Sequence, residues 1–351
     1  MRQTGVDCAR ARQSWRSRSA AMTFSADRYD RMPYRRCGRS GLLLPAVSLG
    51  GWQAIGGYRD DEASKRIFFR AFDCGITHFD FANNYGKPGG TSEAVFGRIL
   101  REMPREELVI SSKAGYRMWS GPYGEWGSRK YLIQSCEQSL KRLGIDHLDI
   151  FYSHRFDPAT PLEETIGALD ALVRQGKALY AGISNYADPH FTRALELTHR
   201  HGWAPITIHQ PRYHLLERTA EQAVLPTAGR DGVGVIAFSP LAQGILTDRY
   251  LDGIPPGSRA ATDPGNGGIG PDAVTPATVA KVRALNAIAK RRGQTMAQLA
   301  LSWLLRDARV TSVLIGASAP EQIDQNVACV ANLRFGDGEL AEIDRICLGA
   351  A

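Results

Sequence analysis

ELVISSKAGYRMWSGPYGEWGSRKYLIQSCEQSLKRLGIDHLDIFYSHR (107–155) decides how this 351-residue chain folds. Two β-rich runs, ELVISS (107–112) and LDIFYS (148–153), bracket an amphipathic stretch at 129–143 whose start Ser128 is placed to cap. A helical crossover of that length joins two parallel strands. Working outward, the alternation recurs on both sides. Strands are predicted at PAVSLG (45–50), THFDF (77–81), ALYAGIS (178–184), ITIHQ (206–210), VGVIAFS (233–239) and SVLIG (312–316). Helical patterns fall at 62–74, 92–102, 162–175, 188–201, 218–229, 278–305 and 320–331, with Pro161 and Pro320-Glu321 as start signals. Eight strands alternating with eight helical zones predict an α/β fold with the parallel sheet closed as a (β/α)8 TIM barrel. One such domain covers 27–351, with a long Gly/Pro-rich loop (252–276) after the seventh strand. An open doubly wound sheet is the alternative, but it needs a glycine fingerprint directly after the first strand, and 50–57 has none. GNGGIG (265–270) does satisfy G-x-G-x-x-G, yet it follows turn signals instead of a strand and reads as loop.

Composition narrows the function. Hydrophobic residues make up 43% and charged residues 23%, which excludes global disorder. No apolar run reaches membrane-spanning length. The net charge of +7 sits wholly in residues 1–40, where ten Arg face three Asp, so the body is neutral. A folded nucleic-acid binder would carry its basic excess on the body, and that class is set aside. The Arg/Ser-rich stretch 1–26 lacks a secretory apolar core and reads as a disordered extension, with Met22 as a possible true start and an organellar leader as the competing reading. Six scattered cysteines without a C-x-x-C point to reduced thiols and a cytoplasmic protein. His199 and His201 form H-x-H at a helix end with no carboxylate nearby, so no metal site is expected.

Chemistry in such barrels sits where strands end. The second predicted strand ends at Asp80 and leads to Tyr85, the third leads to Lys113, and the fourth to His154. A phenol is a weak acid at neutral pH; a nearby ammonium lowers its pKa and a carboxylate holds the ammonium in place. An imidazole beside them can orient a carbonyl oxygen. This set protonates an oxygen while hydride reaches the carbon; it offers no nucleophile and no metal cluster.

FDFANNYG (79–86), ISSKAG (110–115) and FYSHR (151–155) resemble the active-site segments of the aldo-keto reductases, over roughly 33–345. Within that superfamily YRRCGRSGLLLP (34–45), GPYGEWGSRKYL (121–132), GKALYAGISNY (176–186) and MAQLALSWLL (296–305) look most like the bacterial L-glyceraldehyde 3-phosphate reductases. The chain is also similar to the β subunits of voltage-gated potassium channels. The resemblance implies Tyr85 as general acid, Lys113 and Asp80 as its tuners and His154 as the carbonyl-orienting group. It implies an NADPH cofactor: Ser184, Asn185 and Gln210 on the nicotinamide carboxamide, Phe238 stacked on the ring, and SPLAQGILT (239–247) around the pyrophosphate, including Ser239, Pro240, Leu241, Gln243 and Gly244. Arg249, Ser258 and Arg259 fall where the family reads the 2′-phosphate, and guanidinium pairs suit a phosphomonoester. Gly316, Ser318, Gln322, Gln325 and Asn326 match the adenosine turn, although relatives often have Glu where Gln325 stands. Trp52 also borders the cofactor.

A pocket for a small aldehyde is expected from Trp52, Tyr58, Tyr85, Trp119 and His154, with Tyr116 and Trp126 as further walls. Arg117, Arg129 and Arg155 are candidate partners for a substrate phosphate. The expected activity is reduction of aldehydes such as L-glyceraldehyde 3-phosphate or methylglyoxal, in a homo-oligomer. A cofactor-sensing regulatory subunit is the competing class; the resemblance places Asn at the orienting position in channel subunits, where this chain has His154.

Overall fold

The computed structural model describes residues 24–53, 55–262 and 268–349. The extension up to residue 23 and the first three residues of GNGGIG lie outside the described residues.

Eight parallel strands close into a barrel: β3 (Val47–Gly50), β4 (His78–Asp80), β5 (Val109–Ala114), β6 (Leu148–Ser153), β7 (Ala178–Ser184), β8 (Ile206–Gln210), β9 (Gly234–Phe238) and β10 (Val310–Ile315), with β10 pairing back to β3. The HFDF run explains the layering. Phe79 and Phe81 point outward and meet Phe68 of α1 (Asp61–Asp73) and Phe96 of α2 (Thr91–Leu100), with ring centroids 4.6–6.0 Å apart. The alternate residues, His78 and Asp80, point into the barrel. Here the helix-facing side is apolar and the interior polar, so polarity along this strand marks the lumen.

The connecting helices start where local chemistry permits. Asp60 caps α1 by accepting from the Ala63 amide at 2.7 Å, and Ser128 caps α3 (Arg129–Leu143) by accepting from that of Tyr131. α3 stops at Gly144, whose φ of +69° suits a left-handed C-terminal residue. α4 (Leu162–Arg174) and α5 (His190–His201) complete the crossovers around β7.

Several elements differ from expectation. The zone expected at 218–229 is a single 3-10 turn at 219–221 followed by α6 (Val224–Asp231). The long loop after β9 contains α7 (Arg259–Thr262) and a 3-10 turn at 271–273. The pattern at 278–305 is two helices, α8 (Pro276–Arg291) and α9 (Met296–Leu305), broken at Gly293 (φ +65°) and restarted by a Thr295/Gln298 capping box. After α10 (Pro320–Val327), α11 (Asp337–Leu348) packs outside the barrel, unanticipated from the sequence.

An antiparallel hairpin, β1 (Tyr34–Arg36) and β2 (Leu43–Pro45), was also unexpected as structure. It closes the N-terminal end: Cys37, Leu42 and Leu44 pack on Ile150, Tyr152, Ile208 and Ile236 inside the barrel. Arg35 donates to the carbonyls of Leu305 and Val310, tying the hairpin to α9 and β10. With that end sealed, the C-terminal end is the open one. Among the described residues no helix is long and apolar enough to cross a membrane.

Candidate active site

The strand ends gather the predicted groups. Asp80 is the last residue of β4, Lys113 the penultimate of β5, and His154 follows β6 directly; Ser184, Gln210 and Phe238 close β7, β8 and β9. Strand β5 runs to Ala114, two residues beyond the expected boundary, so Lys113 projects from rigid sheet. Lys113 and Asp80 are both fully buried and paired at 2.5 Å (Nζ–Oδ2), and Lys113 also donates to the Phe81 carbonyl at 2.7 Å. Asp80 Oδ1 accepts from the Ser111 hydroxyl at 2.6 Å. Burying an ion pair is costly unless further hydrogen bonds support it, and here the Phe81 carbonyl and the Ser111 hydroxyl do so.

Tyr85 stands over this pair, with the Lys113 ammonium 5.2 Å from its ring centroid. The His154 ring meets Tyr85 edge-on at 5.9 Å and Tyr116 edge-on at 4.7 Å. Burial pushes the Tyr85 phenol well above its ordinary pKa, reinforced by Asp80 and Tyr116. That reverses the expected direction. Burial of the phenol outweighs the pull of the Lys113 ammonium, which Asp80 holds as expected. The resting acid is therefore protonated. Burial lowers the Lys113 pKa, opposed by Asp80. Burial, Lys113 and Arg155 hold His154 well below the usual imidazole range, so its ring is neutral. Its Nδ1 is buried without a hydrogen-bond partner among the described residues.

The cofactor-side residues line the same rim. Ser184 Oγ donates to the Gln210 carbonyl at 2.8 Å, and Asn185 Nδ2 donates to the His154 carbonyl at 3.0 Å from a left-handed backbone (φ +56°). Gln210 Nε2 and Ser258 Oγ are buried and unpartnered among the described residues. After β9, Ser239, Ala242 and Gln243 all adopt positive φ, a concentration of strain that ordinary turns avoid. Gln243 Oε1 accepts from the Ile269 amide at 3.1 Å, tying this turn to the far end of the long loop. Pro240, Leu241 and Gly244 complete it. Arg259 lies 5.5 Å over the Trp52 ring. Burial and the charge of exposed Arg249 both lower the Arg259 pKa, so the two guanidiniums share one field. Beyond β10 and Gly316, Gln322 Oε1 accepts from the Ser318 amide at 2.7 Å and Asn326 is buried. Gln325 is exposed, its carbonyl accepting from Gln298. Buried amide and hydroxyl groups without partners among the described residues, beside the Arg249 and Arg259 guanidiniums, fit a phosphorylated ligand carrying a carboxamide.

Several residues on the substrate side have partners of their own. Trp119 packs on Tyr131 at 5.1 Å, and half-buried Tyr58 lies under the Lys87 ammonium at 5.0 Å. Arg155 does not offer a free cation: it is ion-paired with Glu125, donates to the Gly115 carbonyl at 3.0 Å and lies 3.6 Å over Trp126. It staples the loop after β5. Arg117 and Arg129 are exposed. His201 stacks on Trp203 at 4.4 Å. Sequence reading missed Ser111, His78 and Ser48, although each sits at an alternate, inward position of a predicted strand.

The family model for the aldo/keto reductase family matches residues 46–347. Over 326 residues the chain is 54% identical to L-glyceraldehyde 3-phosphate reductase of Escherichia coli O157:H7, covering 91% of this chain and 93% of that protein. The protein of the same name from strain K12 is 54% identical over 325 residues, with the same coverage. A putative voltage-gated potassium channel subunit beta of Schizosaccharomyces pombe is 38% identical over 308 residues, covering 85% of this chain and 88% of its own length. The chain is an oxidoreductase and belongs to the aldo/keto reductase family.

Proposed function

We propose that the protein uses NADPH to reduce small, oxygenated aldehydes to alcohols, with L-glyceraldehyde 3-phosphate and methylglyoxal-like compounds as the substrate class. The observation that carries this reading is the sealed Asp80–Lys113 pair beside Tyr85 and His154 at the open end of the barrel. The likeness to reductases of that name supports the substrate class. The reduced nicotinamide, when bound, supplies hydride to the carbonyl carbon.

The chain's own residues do the rest. Ser184, Asn185 and Gln210 hold the carboxamide, Phe238 packs on the ring, and the 239–244 turn with Ser258 wraps the phosphates. Arg249 and Arg259 read the 2′-phosphate, while Gly316, Ser318, Gln322, Gln325 and Asn326 bound the adenosine. Trp52, Tyr58 and Trp119 exclude water around the aldehyde. Neutral His154 donates a hydrogen bond to the carbonyl oxygen, and Tyr85 passes its proton to that oxygen as charge develops. Lys113 then faces the phenolate. The ammonium, held by Asp80, stabilises the product side of that transfer more than the resting phenol.

The test is NADPH consumption by the purified protein across small aldehydes. Glyceraldehyde 3-phosphate and methylglyoxal are expected to turn over faster than an unsubstituted aliphatic aldehyde, and NADPH faster than NADH. No consumption with any member of the panel would overturn the reading.

A further inference from the structure

The middle of the barrel interior is polar on one side and apolar on the other. Along β10, β3, β4 and β5 the inward positions are Ser312, Ser48, His78, Asp80, Ser111 and Lys113, all fully buried. Across the lumen stand Ile150, Ile208 and Ile236. Buried hydroxyl and imidazole groups persist in such a place only when hydrogen-bonded. These are. The Ser312 and Ser48 hydroxyls are 2.7 Å apart. His78 Nδ1 lies 2.9 Å from Ser48 Oγ, and its Nε2 lies 2.9 Å from Ser111 Oγ. Ser111 then meets Asp80 Oδ1 at 2.6 Å.

Counting hydrogens gives the row a direction. A carboxylate only accepts, so the one Ser111 hydrogen goes to Asp80. Ser111 Oγ must then accept from His78, which places the ring proton on Nε2. Nδ1 is left as an acceptor, so Ser48 donates to it and Ser312 donates to Ser48. The alternative for Ser312, the Ala46 carbonyl at 3.3 Å, is the longer contact. A doubly protonated ring would break this order; burial pushes the His78 pKa down to about 4, so the ring is neutral at neutral pH.

We propose that Ser312, Ser48, His78 and Ser111 form a one-way hydrogen-bond chain ending on Asp80, and that His78 and Ser111 are positioning residues which aim the carboxylate at Lys113. The chain has a closed end at Ser312 and so orders Asp80 instead of conducting protons. Donors aligned head to tail polarise one another, which concentrates stabilisation on the last acceptor. The charges facing His78 are Asp80 and Lys113; Lys113 in turn faces Glu93, Tyr85 and Tyr152, and Tyr85 faces Tyr116 and His154. The kinetic consequence rests on the proposed reductase function, whereas the tautomer does not.

Two measurements separate these. In the full-length protein carrying 15N-ring-labelled histidine, with the His78 signals assigned by His78→Gln, NMR is expected to show Nε2 protonated and Nδ1 bare. That state should persist from about pH 5.5 to about pH 8.5, across the range where ordinary imidazoles titrate. A proton on Nδ1, or titration within that span, overturns the chain whatever the enzyme reduces. Ser111→Ala is expected to lower kcat about tenfold with KM for NADPH nearly unchanged. The alkaline fall in rate should also move to higher pH, because the Asp80 charge then bears more strongly on Tyr85. Ser111→Thr, which keeps the hydroxyl, should restore both. An Ala variant whose kcat and pH profile match wild type, or a Thr variant as impaired as Ala, contradicts the positioning role.

Discussion

Lys113 and Asp80 show how an unfavourable burial becomes useful. Removing two charges from water costs several kcal/mol per ion, and a matched apolar pair would often be as stable. The pair is held at 2.5 Å, supported by the Ser111 hydroxyl and the Phe81 carbonyl, directly beneath a phenol. Its consequence is electrostatic: Tyr85 rests protonated, and the ammonium is in place before the proton leaves. The cofactor rim works differently, placing two guanidiniums in one field. Replacing Arg249 and Arg259 together by Ala is expected to weaken NADPH binding by about 2 kcal/mol, roughly thirtyfold in Kd, while NADH binding changes little. Fluorescence titration of both cofactors checks this. Equal losses for the two would mean that these guanidiniums do not read the 2′-phosphate.

At the scale of elements, the hairpin and the strand ends divide the work between the two mouths of the barrel. The hairpin places Leu44 inside the N-terminal end, where it is fully buried. Leu44→Ala is expected to lower unfolding free energy by about 2–4 kcal/mol in urea, with kcat nearly unchanged. A loss below about 1 kcal/mol would show that the hairpin is a surface flap and not the floor of the barrel. The hairpin was not legible as structure because its strands are three residues each, too short for a period-2 pattern to emerge. The barrel strands were legible for a contrary reason. They are near-continuous apolar runs interrupted by inward polar residues, and those interruptions at Asp80, Lys113 and Gln210 were the site. α8 and α9 merged in the sequence because only Gly293 and a capping box separate two compatible apolar faces. α11 was lost because it covers the outside of the barrel and belongs to no β-α repeat.

For the whole molecule, closure fixes function. A parallel barrel brings residues separated by more than a hundred positions, such as Tyr85 and Gln210, to one rim, and the sealed opposite end leaves that rim as the working face. What the sequence could not supply was how neighbouring charges are already committed. Arg155, a candidate partner for a substrate phosphate, is paired with Glu125, and the acidifying pull of Lys113 expected at Tyr85 is outweighed by burial of the phenol. Both depend on burial or on contacts between loops that no spacing along one strand encodes. The central claim, that Tyr85 is the acid poised over this pair, is tested most directly by single-turnover reduction in Tyr85→Phe preloaded with NADPH. The account predicts unchanged NADPH affinity and a hydride-transfer rate at least about a hundredfold lower than wild type; a Phe variant that reduces aldehyde at the wild-type rate would contradict it.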